Sequence, residues 1–159
     1  MWPRRELLLA LAALAIGALL WSRHQVVVMD QAHYIGSGIS LVRGTGFVNP
    51  SGEPETWFPP LYPLLIGLVH LLIPDGVAAA KLVSVVASAV GAIAVYRLGR
   101  SLDGAATGLV AALVAMVQPD CALFGAQPIS QALFSALLWS AMAVYAADIG
   151  DRRTSTAPA

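Results

Sequence analysis

Residues 76–96, GVAAAKLVSVVASAVGAIAVY, hold a single charge, Lys81 near their start. That is close to the roughly 17–25 apolar residues with which a helix crosses a bilayer. The flanking sequence repeats the pattern. Leu7 to Ser22 carries no charge and follows Arg4 and Arg5, which predicts a first span over residues 7–22 entering from the cytoplasm. Downstream, Gly104 to about Pro119 and Pro128 to Ala147 are again apolar. The predicted spans are therefore 7–22, 76–98, 104–119 and 128–147.

Composition agrees with this reading. The 159 residues are 58% hydrophobic and 11% charged, with a mean hydropathy of +0.74, against about 25% charged residues in a soluble domain. The expected fold class is all-α: a polytopic helical membrane protein of about four transmembrane helices. Nine basic and nine acidic residues cancel, so no overall field points to nucleic acid as a partner. The single cysteine, Cys121, and the scattered His24, His33 and His70 match no zinc or haem spacing. The alternative for the first segment is a cleaved signal peptide, but Trp21-Ser22-Arg23-His24 offers no small-residue cleavage site.

Four spans place Arg4, Arg5, Arg97, Arg100, Arg152 and Arg153 on the cytoplasmic side, as the positive-inside rule favours. A five-span chain with its amino terminus outside keeps the same count of inside arginines. Segment length and the usual dominance of the first span favour four: Leu61 to Ile73 spans only about 20 Å as a helix and is bounded by Pro63 and Pro74. It is expected to be an interfacial or re-entrant helix. The loop over residues 23–75 then lies outside, and the polar tail over 148–159 is expected to be disordered.

Most groups able to do chemistry lie in that loop. Asp30 can cap a helix reaching about Arg43, with Ile35, Ile39 and Val42 on one face, and this amphipathic helix is expected at the membrane interface. Gly44-Thr45-Gly46 ends it, and Asn49-Pro50-Ser51-Gly52 supplies a turn. Asp30 and Tyr34 stand four residues apart on one helical face. In a water-poor cleft such a carboxylate suits a general base; a plain helix cap would also choose aspartate. The aromatic, proline-stiffened Trp57-Phe58-Pro59-Pro60-Leu61-Tyr62-Pro63 suits a lipid or sugar surface, or equally an interfacial aromatic belt. Arg43 and Lys81 are the outer-side cations. Arg43 alternatively faces water, and Lys81 alternatively snorkels to the interface. Pro119-Asp120 reads as a helix start.

The ordered set Asp30, Tyr34, Gly44-Thr45-Gly46-Phe47, Pro59-Pro60-Leu61-Tyr62-Pro63, Ala79-Ala80-Lys81-Leu82 and Tyr96-Arg97-Leu98-Gly99-Arg100 resembles the amino-terminal part of the lipid-linked-sugar glycosyltransferases of the GT-C superfamily. Within it, the chain is most similar to the dolichyl-phosphate-mannose protein mannosyltransferase group and the bacterial aminoarabinose transferases. The resemblance implies a multi-pass cell-membrane protein that moves a sugar from a polyprenyl-phosphate donor to an extracytoplasmic acceptor. It places the catalytic aspartate at Asp30, with Tyr34, Arg43, Tyr62, Lys81 and Gln131 as substrate-binding candidates. It implies no cofactor, a divalent metal staying open. The implied partners are membrane lipid, a lipid-linked sugar donor and a partner membrane subunit.

Relatives often carry an acidic residue where this chain has Gln31, and another where it has Ser130-Gln131. Asp120 is the candidate substitute for the second. Family members continue through many more spans, which makes the expected chain an amino-terminal portion whose small-residue face at Gly104–Gly108 docks further helices. The alternative is a non-catalytic accessory subunit or degenerate relative that binds lipid-linked sugar or partner helices. A small transporter subunit is a third class, but the spans hold almost no midplane ionisable residue to mark a pathway.

Overall fold

The computed structural model describes residues 4–21 and 27–155, so Arg23 and His24 lie outside the described residues. Six helices are described: α1 (Arg4–Leu19), α2 (Met29–Val42), α3 (Leu61–His70), α4 (Gly76–Val117), α5 (Pro119–Gly125) and α6 (Gln131–Ser155). The only strand-like pairing among the described residues is one antiparallel bridge between Val48 and Pro54. The fold is all-helical, as composition requires. Two helices, α4 and the Gln131–Ile149 part of α6, are long and apolar enough to cross a membrane.

α4 is two helical arms, residues 76–102 and 105–117. Between them Asp103 (φ −152°, ψ 30°) and Gly104 (φ 86°, ψ −178°) leave helical geometry, and Gly104 occupies a region that only glycine enters without strain. The chain doubles back there. A Cβ on Gly99 would come within 2.8 Å of the Gly108 Cα, and one on Gly108 would strike the Tyr96 carbonyl oxygen. Of the small residues at Gly104–Gly108, Gly108 is buried against the first arm, while Gly104 and Ala106 stay exposed.

Helix directions alternate around this hairpin. α1 runs against the first arm, from the Glu6–Arg97 ion pair to Gly17 packed on Val85. Leu9 and Ala13 meet Ala89, Ala92 and Tyr96, and Ala112 and Met116 of the second arm close the same cluster. α6 runs alongside the first arm, with Ala132 and Ala136 on Ala87 and Trp139 on Gly91. Small residues let these backbones approach closely, so packing supplies the adhesion that apolar surface cannot provide in lipid.

α2 and α3 form a second layer at the end where the first arm of α4 begins. The contact is backbone on backbone: a Cβ on Gly38 would meet the Pro63 carbonyl oxygen, and one on Gly67 would meet that of Gly38. The Ile35, Ile39 and Val42 face is partly covered by the chain itself. Ile35 and Ile39 pack on Gly76, and Val42 packs on Gly67.

The loop between α2 and α3 folds as expected. Gly44 (φ 78°) and Gly46 (φ 96°) end α2, and the Asn49 side chain accepts the Ser51 and Glu53 N–H groups. At the far end, α6 stays helical to Ser155. Residues 148–155 therefore extend the last helix where a disordered tail was expected, because their backbone bonds continue the ladder; 156–159 lie outside the described residues.

Candidate functional site

The α2–α3 layer gathers aromatic and polar side chains against the starts of α4 and α6. The first turn of α2 orients them. Val28 is the N-cap and Gln31 accepts the Val28 N–H through its side-chain oxygen at 3.4 Å. Asp30 is therefore the second residue of the helix, within its first turn, and not its cap. Asp30 is exposed, where its charge also suits the positive end of the helix dipole.

Tyr34 points the other way. It is buried, its hydroxyl lies 2.9 Å from Ser130 Oγ just before α6, and its ring meets Tyr62 edge-on at 5.1 Å and Phe58 at 4.7 Å. Helical spacing brings Asp30 and Tyr34 to one side of α2, yet one faces out and the other in. Tyr62 is also buried, with its hydroxyl 2.8 Å from Ser84 Oγ and donating to the Ala80 carbonyl. Ser84 in turn donates to the Ile129 carbonyl. Tyr62 thus ties α3 to α4 and the approach to α6 through groups that would otherwise be buried without partners.

The structure adds a pair that sequence reading left apart. The Glu55 side chain is fully buried and its Oε2 lies 2.6 Å from His33 Nδ1, while the His33 side chain keeps 23% of its surface exposed. Ser37 Oγ donates to the same oxygen at 3.3 Å, and the Trp57 N–H donates to Oε1 at 3.0 Å. Burial pushes the Glu55 carboxyl up, but the donors from His33, Trp57 and Ser37 outweigh it and hold it below its ordinary value. An ionised Glu55 is an acceptor, so the His33 Nδ1–H donates to it. The ring is kept in place by Phe58, 5.4 Å away between centroids.

The remaining candidates scatter around this cluster. Lys81 is 2% exposed, with Nζ 5.5 Å from the centre of the Trp21 ring, within cation–π range. It is enclosed by protein and does not snorkel outward, because the end of α1 covers it. Arg43 is the C-cap of α2 and faces water. Gln131 lines a cavity of about 100 Å³ with Asp120, Cys121, Ser135 and the apolar Ile16 and Trp139. Asp120 sits in the first turn of α5, the helix start that its proline announced, and accepts from Gln118 Nε2 at 3.3 Å. Among the described residues, no group of three or more His, Cys, Asp or Glu side chains is placed to hold a metal ion.

Residues 58–155 match the family model for dolichyl-phosphate-mannose-protein mannosyltransferase, which covers more than half of the chain. The chain belongs to this family. It is accordingly a glycosyltransferase-like membrane protein, of a family whose donor would be a lipid-linked sugar in the membrane and which is not known to need a cofactor. Neither the curated proteins nor the solved structures give a match. Tyr62, Lys81 and Gln131 fall inside the family match; Asp30, His33, Tyr34, Arg43 and Glu55 precede it. The His33–Glu55 pair escaped the sequence because the two residues are separated by the 43–54 loop, which closes on itself through the Val48–Pro54 bridge and the Glu55 N–H to Phe47 carbonyl bond.

Proposed function

We propose that the α2–α3 end lies on the extracytoplasmic side and transfers a sugar from a polyprenyl-phosphate donor to an acceptor hydroxyl. The alternating directions of α1, the two arms of α4 and α6 support four crossings. Arg4, Arg5, Arg97 and Arg100 cluster at the opposite end, which supports a cytoplasmic amino terminus.

The observation that carries the reading is one gathering of side chains inside a family member. Asp30 projects from the turn of α2 that also presents His33, and the aromatic wall of Tyr34, Phe58 and Tyr62 stands behind it. In the proposed reaction the acceptor oxygen forms a bond to the anomeric carbon. The bond from that carbon to the phosphate oxygen breaks, its electron pair leaves with polyprenyl phosphate, and the acceptor proton passes to the Asp30 carboxylate. Back-side attack inverts the anomeric centre. Such general-base help is worth about 10²–10⁴-fold. Arg43, exposed at the other end of α2, is the cation proposed to draw the donor phosphate to this layer, with the exposed Gln131 on the sugar side, while the enclosed Lys81 and Tyr34 brace the site from within. The Tyr62 hydroxyl, already bonded within the protein, holds the wall in place.

The exposure of Asp30, with no hydrogen bond to it among the described residues, favours a second reading: a non-catalytic relative that binds lipid-linked sugar. The two separate in one assay. Purified protein is mixed with labelled polyprenyl-phosphate mannose and a hydroxyl-bearing acceptor peptide. Label on the peptide with stoichiometric release of polyprenyl phosphate is expected. Donor binding with no transfer would leave the second reading standing, and no binding would contradict both.

A further inference from the structure

A second recess lies at the other end of the bundle, about 20 Å along α4 from Ser84, taking 13 residues at the helical rise. It is a cleft of about 540 Å³ between α6 and the first arm of α4, within the roughly 300–1,000 Å³ usual for ligand sites. Its wall is formed by Val90, Ile93, Ala94, Ala143 and Val144 with Ser140 among them, and its mouth carries Arg97, Arg100 and Ser101 together with Glu6. One end is therefore cationic and the rest is mostly apolar.

The cations at the mouth are only partly used. Arg97 spends Nε and Nη2 on Glu6, at 3.0 and 2.6 Å, which leaves its Nη1 donors uncommitted among the described residues. Arg100 is exposed and makes no hydrogen bond or ion pair with any described residue. Two guanidinium groups against one carboxylate leave a net positive mouth, and Asp103, the next acid along α4, is engaged by the Thr107 hydroxyl at 3.0 Å. Arginine is the side chain best suited to phosphate, through several N–H donors in a fixed plane. A ligand that fits both parts has a phosphate joined to a hydrocarbon chain.

We propose that this cleft binds one anionic phospholipid, its phosphate on Arg97 and Arg100 and one acyl chain along Val90, Ile93 and Val144. The lipid belongs to the leaflet opposite the α2–α3 end. It would fill the gap between the two apolar helices and join them at the end where α1 is pinned by Glu6. The site stands independently of sugar transfer, since it uses none of the residues assigned to that reaction.

The test is native mass spectrometry of the full chain released from detergent into equimolar phosphatidylglycerol and phosphatidylcholine. One retained phosphatidylglycerol per chain is expected, at least fivefold over phosphatidylcholine. Arg100→Gln should remove that preference with an unchanged thermal melt, because Arg100 bonds to nothing described. Val144→Trp, at an exposed wall position, should reduce retention of both lipids. Equal retention of the two lipids by the native chain, or full phosphatidylglycerol retention by Arg100→Gln, would overturn the proposal. So would efficient disulfide crosslinking of Val144→Cys between two chains in lipid-rich bilayers, which would assign the cleft to a second copy.

Discussion

The two ends of this helical bundle are held together by different chemistry. Toward the Arg97 end, the helices meet through Gly99 on Gly108, Leu9 and Ala13 on Ala92 and Tyr96, and one ion pair, Glu6 to Arg97. At the α2–α3 end, side-chain bonds cross between elements: Tyr34 to Ser130, Tyr62 to Ser84, His33 and Ser37 to Glu55. Close packing of small residues is insensitive to protonation and leaves nothing for a substrate to engage. A polar network in a partly wet layer is costlier to bury, but it fixes ring planes, tautomers and hydroxyl directions. One end is therefore the scaffold, and the other has the order that a site needs.

Substitutions should expose that difference. Gly99→Val and Gly38→Val should have the largest effect, since each new side chain meets backbone that cannot yield. Gly99→Val is expected to abolish the folded population by opening the α4 hairpin, while Gly38→Val releases α2 from α3 and spares the bundle. Limited proteolysis reads the contrast: cleavage confined to residues 43–60 in Gly38→Val, and cleavage throughout the chain in Gly99→Val. Equal behaviour would break the division into two layers.

Next in size is Glu6→Gln. Loss of a bidentate charged pair should cost about 1.5–3 kcal/mol, read as a lower thermal melt with the α2–α3 layer unchanged. Tyr62→Phe should cost less, about 0.5–1.5 kcal/mol for the lost bonds to Ser84 and Ala80. Its effect is expected to be local: faster hydrogen exchange in α3 with little change in α1.

Acid provides the mildest probe, read locally at the α2–α3 end. Because the folded carboxyl of Glu55 is held below its ordinary value of 4.5, its contribution is fully present above that pH and is lost as pH falls through the folded value. The native protein should thus lose α3 protection below about pH 4.5, whereas Glu55→Gln should already be weakened at neutral pH and show less further change over that range.

The fold was legible where periodicity and composition act alone. The all-helical class, the Gly44–Gly46 break, the Asn49 turn and the helix start at Pro119 all stand where the sequence predicts them, because each follows from local chemistry. Three features needed tertiary structure. The Gly104–Gly108 stripe offers a packing face, but its partner, the first arm, depends on the backbone angles of Asp103 and Gly104. Lys81 near a span end suggests snorkelling until Trp21 is seen beside it. His33 and Glu55 are each ordinary surface residues in sequence, and only the folded 43–54 loop makes them a pair. Asp30 stands out in sequence by its position after the first apolar segment, but its exposure at the start of α2 is visible only in the fold.

The most direct measurement compares two exposed carboxylates, one at each end: sugar transfer from labelled polyprenyl-phosphate mannose by the native protein, Asp30→Asn and Asp103→Asn, each with its thermal melt. Asp30→Asn is predicted to lower transfer by about 10²–10⁴-fold with an unchanged melt, and Asp103→Asn to keep transfer near the native rate. Native transfer by Asp30→Asn, or equal losses in the two variants, would contradict the assignment of the chemistry to the α2–α3 end.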